Sequence, residues 1–135
     1  MMQRTFLDVA TVGKPPSQAS PGIKVSGGSL IFVSGAVAWD KQCNIVGKGD
    51  VKAQARQAFE NLQKVLAQGG AGLRDIIKLN VYLTNVEHRL PLVEVRKEFL
   101  KGHNPPSTTV VVASLVEKEL LVEIDAIALV PESTI

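Results

Sequence analysis

Apolar residues recur at helical spacing in two segments of the chain. The first segment begins after Asp50, a good N-cap residue, and ends at Gly69-Gly70, which predicts a helix of about 18 residues. The second segment runs from about Arg89 to Leu100. Each segment has one apolar and one polar face, a pattern that is typical of helices lying on a sheet.

The rest of the apolar positions follow the pattern of β-strands. Ile76–Leu83 and Leu121–Leu129 alternate between apolar and polar residues, which predicts two strands with distinct faces. Val110–Val112 is a shorter, wholly apolar run, and Thr5–Val9 has the composition of a first short strand.

The glycine pair Gly27-Gly28 separates two further strand-like runs, Ile23–Ser26 and Ser29–Ser34. Because glycine accepts the positive φ angles of two-residue turns, this arrangement predicts a β-hairpin. Leu30–Val33 is continuously apolar, so we expect both faces of this strand to be covered.

The order of these elements predicts an α+β fold in a single domain, residues 1–135. An order of β-β-α-β-α-β-β favours a sandwich in which one mixed sheet carries two helices on one face. The other face has no helix to cover it, although strands such as Leu30–Val33 and Val110–Val112 are apolar on both sides. We therefore expect that face to pack against copies of the chain in a homo-oligomer. Pro131–Ile135 is interpreted as a frayed tail.

Composition narrows the class of function. Hydrophobic residues make up 45% of the chain, aromatic residues 4%, and the formal net charge is +2. The basic residues alternate with acidic ones and form no block, so we expect no nucleic-acid partner. No apolar run reaches the ~18 residues of a membrane span, and the N-terminus lacks a signal-peptide pattern. We expect a cytoplasmic protein with no membrane partner.

Cysteine and histidine give no positive sign of a metal site. Cys43 is the only cysteine, which excludes an internal disulfide framework and argues against a thiolate metal site. His88 and His103 do not have the short spacing of paired ligands.

Two carboxylates interrupt the apolar pattern of the last strand. Strand alternation places Glu123 and Asp125 on one face, about 7 Å apart, between aliphatic neighbours. If that face is covered, burial and mutual repulsion raise the pKa of at least one of them, as a general acid or base near neutral pH requires. The alternative interpretation is that they mark the solvent side of a strand near a sheet edge.

Four motifs, spread over nearly the whole chain, match one known family. They are Phe32–Gly35, Asn61-Leu62 in the helix that ends at Gly69-Gly70, Val81–Leu83, and Val122–Ala128 following Pro105-Pro106. Together they resemble the reactive-intermediate deaminase (Rid) family of enamine and imine deaminases. The resemblance implies a chorismate-mutase-like fold that assembles as a homotrimer, with clefts between subunits.

The resemblance also implies a chemistry that needs neither metal nor organic cofactor. In the deaminating members, a glutamate on the last strand activates a water molecule, which attacks the C=N carbon and releases ammonia. A Ser-Gly backbone at a strand end contacts the small substrate, and an arginine after the Pro-x pair binds its carboxylate. By position, Glu123 matches the glutamate, and Ser34 and Gly35 match the strand-end contacts.

Two positions depart from the family's pattern. Ser107 stands where the deaminating members have the arginine, and Pro16 stands where they have a tyrosine. Serine offers one hydroxyl and no charge, so Ser107 and Thr108 are expected to hydrogen-bond a substrate that is anchored differently. Lys24, Arg74 or an arginine of a neighbouring subunit are candidates for the missing cation. Two interpretations remain: a hydrolytic deaminase of an enamine or imine, or a non-catalytic trimer that binds a small metabolite.

Overall fold

The computed structural model describes residues 1–132; positions 133–135 of the predicted tail lie outside the described residues. Within residues 1–132 the chain forms six strands and two main helices. In chain order these are β1 (Gln3–Leu7), β2 (Gly22–Ser26), β3 (Ser29–Ala36), α1 (Val51–Gln68), β4 (Ile76–Leu83), α2 (Arg89–Leu100), β5 (Ser107–Val111) and β6 (Val122–Val130).

A mixed sheet of four strands, in the order β3-β6-β4-β5, forms the centre of the fold. β6 pairs antiparallel with both β3 and β4, whereas β5 runs parallel to β4. The parallel pair is possible because α2 provides the crossover between β4 and β5. The α+β prediction of two helices on a mixed sheet is confirmed.

Both helices pack on the same face of this sheet. Aliphatic side chains of β4 and β6, such as Leu79 and Ile124, meet Phe59 and Leu62 of α1 in one fully buried core. Phe59 also stacks on Phe99 of α2, with ring centroids 5.1 Å apart. Burial of these aliphatic and aromatic groups is the main source of stability for such a layer.

The predicted hairpin at Gly27-Gly28 is wrong. Both glycines have positive φ, 67° and 75°, but β2 pairs with β1, whereas β3 pairs with β6. A Cβ on Gly27 would lie 2.3 Å from the carbonyl oxygen of Met1, so the glycine leaves room for the start of the chain. β1 and β2 thus form a separate two-stranded sheet, and β1 starts two residues before the predicted Thr5.

The second face of the four-stranded sheet is open in the single chain. Phe32 is 69% exposed and Leu30 is 51% exposed on β3, and Val110 of β5 is 41% exposed. The expected cover on both faces of Leu30–Val33 is therefore not present within one chain. Among residues 1–132, no helix combines the length and the apolarity that a membrane crossing requires.

Candidate functional site

Glu123 lies on the open face of the sheet, on β6, which is one of the two central strands. Its neighbours Val122 and Ile124 point into the core, so strand alternation directs Glu123 away from the helices. The residue is half-buried. Burial, and secondarily the charge of Asp125, raises the pKa of the Glu123 carboxyl above its usual range. The direction is the one that the sequence predicts for a carboxyl of this pair on a covered face.

Asp125 is held by two hydrogen bonds from the neighbouring strand β4. The side-chain amide of Asn80 donates to one carboxylate oxygen and the Tyr82 hydroxyl donates to the other, each at 2.8 Å. This hydrogen bond raises the pKa of Tyr82, because it stabilises the protonated phenol beside a carboxylate. In the described part of the chain, Glu123 receives no comparable hydrogen bond from a side chain. The Asp125 carboxylate is therefore held in place by Asn80 and Tyr82, whereas the Glu123 carboxylate can still bind a water molecule or a ligand.

The backbone at Gly35 makes room for the Glu123 carboxylate. A Cβ on Gly35 would lie only 2.0 Å from Oε2 of Glu123. The register of β3 against β6 shifts between Val33 and Ala36, so the strand is irregular at this point. Ser34 is exposed beside it, and both residues line a shallow cavity of about 390 Å³. The structure thus brings Glu123 and the Ser34-Gly35 backbone together.

Two polar side chains of α1 hold the strand ends that carry these groups. Asn61 donates from its amide nitrogen to the carbonyl oxygens of Val37 and Trp39, just after Gly35, at 2.9 and 2.8 Å. Gln54 is fully buried and accepts from the backbone N–H of Leu121, just before β6, at 2.8 Å. Its amide nitrogen donates to the carbonyl oxygens of Gly47 and Glu119.

Ser107 and Thr108 lie on opposite faces of β5. Thr108 pairs with Asn80 on the open face, and its hydroxyl accepts a 2.8 Å hydrogen bond from Lys78. Ser107 pairs with the buried Leu79 and faces the helices. Within one chain, Thr108 therefore shares a face with Glu123, whereas Ser107 does not.

Ser107 lines a separate cavity of about 290 Å³ between α2, β5 and the N-terminal loop. Pro15 and Ser17 line its loop side, on either side of Pro16. Neither Lys24 nor Arg74, the candidates for a substitute cation, lines this cavity.

The cavity beside Ser107 contains a cation that the sequence did not single out. Arg96 of α2 is only 2% exposed and lines the cavity, and Arg89 lines it as well. The helical spacing of α2 could have indicated this residue, because it places Arg96 on the apolar face, beside the buried Leu92 and Val95. A charged residue in such a position has to be explained by a partner or by a ligand.

No metal centre is found in residues 1–132, since no group of three His, Cys, Asp or Glu side chains is arranged to hold an ion. Cys43 is exposed in the loop that precedes α1.

Comparison with known proteins identifies the family. The family model described as Endoribonuclease L-PSP matches residues 15–130. The chain belongs to this family. Within it, a RutC family protein of Pyrococcus abyssi is 36% identical over 115 residues, which cover 85% of this chain and 88% of the relative. A 2-iminobutanoate/2-iminopropanoate deaminase of Dermatophagoides farinae is 28% identical over 130 residues, which cover 96% and 99% of the two chains.

One of the similar solved structures is described as a member of the Rid family. The crystal structure of YyfB of Yersinia pestis, a protein of the Rid family, superposes with a TM-score of 0.85 at 29% identity, over 94% of this chain and 98% of that one. The predicted Rid membership and the chorismate-mutase-like fold are therefore confirmed.

Proposed function

We propose that this Rid-family chain is a hydrolytic deaminase of a small reactive enamine or imine. The observation that carries the proposal is the state of Glu123: half-buried, with a raised pKa, packed against the Gly35 backbone and not engaged by a neighbouring side chain. A carboxylate with a raised pKa takes up a proton more readily than an ordinary glutamate does, as a general base for water requires. The relative named as a 2-iminobutanoate/2-iminopropanoate deaminase supports the same class of reaction.

The proposed reaction is the hydrolysis of a C=N bond. The Glu123 carboxylate takes a proton from a water molecule as the water oxygen bonds to the imine carbon, and it returns this proton to the imine nitrogen to give a carbinolamine. The carbinolamine collapses when Glu123 takes the hydroxyl proton and passes it to the NH2 group: the C=O bond forms, the C–N bond breaks, and the nitrogen leaves as ammonia. An enamine substrate first gains a proton on carbon to become the imine. Ser34 and the Gly35 backbone are proposed to position the substrate against Glu123.

The site is proposed to lie between subunits of a homotrimer. The open face exposes Phe32, Leu30 and Val110 around the polar groups of β4 and β6, as an interface with a polar centre would. Because Ser107 and Glu123 lie on opposite sides of the sheet, a cleft that uses both is most simply built from two copies of the chain. Thr108 is proposed to contribute its hydroxyl from the open face.

Ammonia release from freshly generated 2-aminoacrylate or 2-iminobutanoate tests the proposal. The wild type is expected to accelerate release, and Glu123→Ala to lose roughly 10²- to 10⁴-fold of that acceleration. Equal activity in Glu123→Ala would show that Glu123 has another role. A silent wild type, together with activity gained by Ser107→Arg, would favour the non-catalytic metabolite-binding alternative.

A further inference from the structure

Arg96 is a buried charge without an acidic partner. Its exposure is 2%, and none of the ion pairs found in residues 1–132 includes it. Its one hydrogen bond among these residues runs from Nη2 to the carbonyl oxygen of Pro105, at 3.3 Å. Burial lowers the pKa of Arg96 to about 10, so the guanidinium still carries its charge at neutral pH. Keeping a charge in such a place is costly unless something neutralises it.

Arg96 lies directly beside Ser107. The Ser107 hydroxyl donates to the same carbonyl oxygen of Pro105, at 3.0 Å. Two donors on one acceptor oxygen are necessarily close neighbours. The charge that is missing from position 107 on β5 is therefore present a short distance away, on α2.

The cavity in front of these two groups has the chemistry of an anion site. The charged residues in its lining are Arg96 and Arg89, and none of the residues that line it is acidic. Three hydroxyl groups, from Ser17, Ser107 and Thr109, accompany them. The remaining lining is mostly aliphatic: Pro15, Ala19, Leu83, Val86, Leu92, Val93 and Val111. Its volume of about 290 Å³ is at the small end of ligand sites.

We propose that this cavity binds a small carboxylate with a short aliphatic body, and that Arg96 supplies the cation that pairs with it. The inference deepens the proposed function, on which its meaning for catalysis rests: it makes Arg96 of α2, and not a cation at position 107, the residue that selects the carboxylate. A guanidinium pairs with a carboxylate through two parallel hydrogen bonds, which fixes the orientation of the ligand. The aliphatic wall accommodates the rest of the molecule.

Calorimetric titration with butanoate, and with its neutral isostere butanamide, tests the carboxylate assignment on the wild type. Butanoate is expected to bind at least about tenfold more tightly than butanamide, because the hydrogen bonds to Arg96 are charge-assisted. In ¹H–¹⁵N spectra, the largest butanoate-induced shifts are expected at the amides of Ser17, Ser107 and Thr109. Equal affinity for the two probes, no binding, or shifts confined to other parts of the chain would overturn the proposal.

Substitution of Arg96 tests the cation itself. Arg96→Met is expected to weaken butanoate binding by about 10- to 100-fold and to leave butanamide binding nearly unchanged. Arg96→Lys, which keeps the charge, is expected to retain part of the affinity, and serves as the decisive variant if Arg96→Met does not fold. Arg74→Met, which removes an exposed arginine outside the cavity, is the matched control and should bind as the wild type does. Unchanged binding in Arg96→Met, or butanoate binding by Arg96→Lys no tighter than its butanamide binding, would refute the role of Arg96.

The two proposals fail in distinguishable ways. A wild type that releases no ammonia but binds butanoate through Arg96 refutes the deaminase and retains the carboxylate site. A wild type that releases ammonia from 2-iminobutanoate, with the same KM in Arg96→Met, retains the deaminase and refutes the carboxylate site.

Discussion

Glu123 and Asp125 are two carboxylates on one strand face whose surroundings differ. The alternation of β6 predicts that they share a face, because this depends only on residues next to each other in sequence. Asp125, and not Glu123, is held by hydrogen bonds because Asn80 and Tyr82 lie beside it. These partners are 45 and 43 residues away in sequence. Such long-range partners are not readable from a local pattern. The same holds for Arg96, whose closeness to Ser107 arises only when α2 packs beside β5.

Gly35→Ala tests the contact between β3 and the Glu123 carboxylate. The added methyl would fall 2.0 Å from Oε2 and 2.7 Å from Cδ of Glu123, so the whole carboxyl group has to swing away from β3. Since only the end of a flexible side chain moves, we expect little change in melting temperature but a loss of about 100-fold or more in kcat/KM for ammonia release.

Gly72→Ala is the control for that variant. Gly72 has an extended backbone, and a Cβ there meets no atom within 4 Å. It should keep wild-type activity. If Gly35→Ala also keeps wild-type activity, the position of the Glu123 carboxylate against β3 is not needed for the reaction.

Glu123→Gln should change stability in a pH-dependent way. The folded pKa of Glu123 is raised above the unfolded value of 4.5, so folding disfavours its ionised form. The contribution of Glu123 to stability is fully present below that value and is lost as pH rises through the folded pKa. Glutamine avoids this loss, so we expect the variant to unfold at a higher temperature than the wild type near pH 7.

Thermal unfolding as a function of pH measures this difference. The advantage of Glu123→Gln should shrink as the pH falls and disappear well below 4.5. Glu87→Gln, at an exposed position, is the control and should show no such trend. A constant difference between Glu123→Gln and the wild type at all pH values would contradict a raised pKa at Glu123.

Among the elements, those with strong local signals were predicted well. The ends of β4 and α2 agree with the sequence pattern, and α1 extends over 18 residues from the predicted N-cap. Caps, glycine stops and periodicity are all encoded within a few residues. The hairpin prediction at Gly27-Gly28 was wrong because strand pairing depends on distant segments. The two glycines have the positive φ angles of a turn, but β2 pairs with β1 and β3 pairs with β6.

Gln54→Leu tests whether α1 holds the entry to β6. Leucine fills a similar volume but leaves the N–H of Leu121 and the carbonyl of Glu119 without their partner. Because Gln54 is fully buried and Leu121 is half-buried, we expect a loss of about 1–3 kcal/mol in the free energy of unfolding, measured by urea denaturation. Gln63→Leu, an exposed change on the same helix, should cost little. Similar losses in both variants would indicate an effect of helix composition and not of the hydrogen bonds.

At the scale of the whole molecule, the open sheet face is the main feature that one chain does not explain. Its apolar strands led to the expectation of a homo-oligomer, and the exposure of Phe32 and Leu30 supports it. We predict a mass of three chains by sedimentation or light scattering. Phe32→Asp should shift this assembly to the monomer, since a charge would then be buried in the interface.

Leu90→Asp provides the matched control for the assembly. Leu90 is 58% exposed but lies on α2, on the helical side of the sheet. This variant should remain trimeric. A wild type that is monomeric at all accessible concentrations would exclude a site between subunits.

Ammonia release tests most directly whether Glu123 drives the hydrolysis of a C=N bond. The rate with freshly generated 2-iminobutanoate is compared between the wild type, Glu123→Gln and the control Glu87→Gln, all verified as folded. We predict that kcat/KM falls by roughly 10²- to 10⁴-fold in Glu123→Gln and is unchanged in Glu87→Gln. A Glu123→Gln protein that releases ammonia as fast as the wild type would contradict the claim.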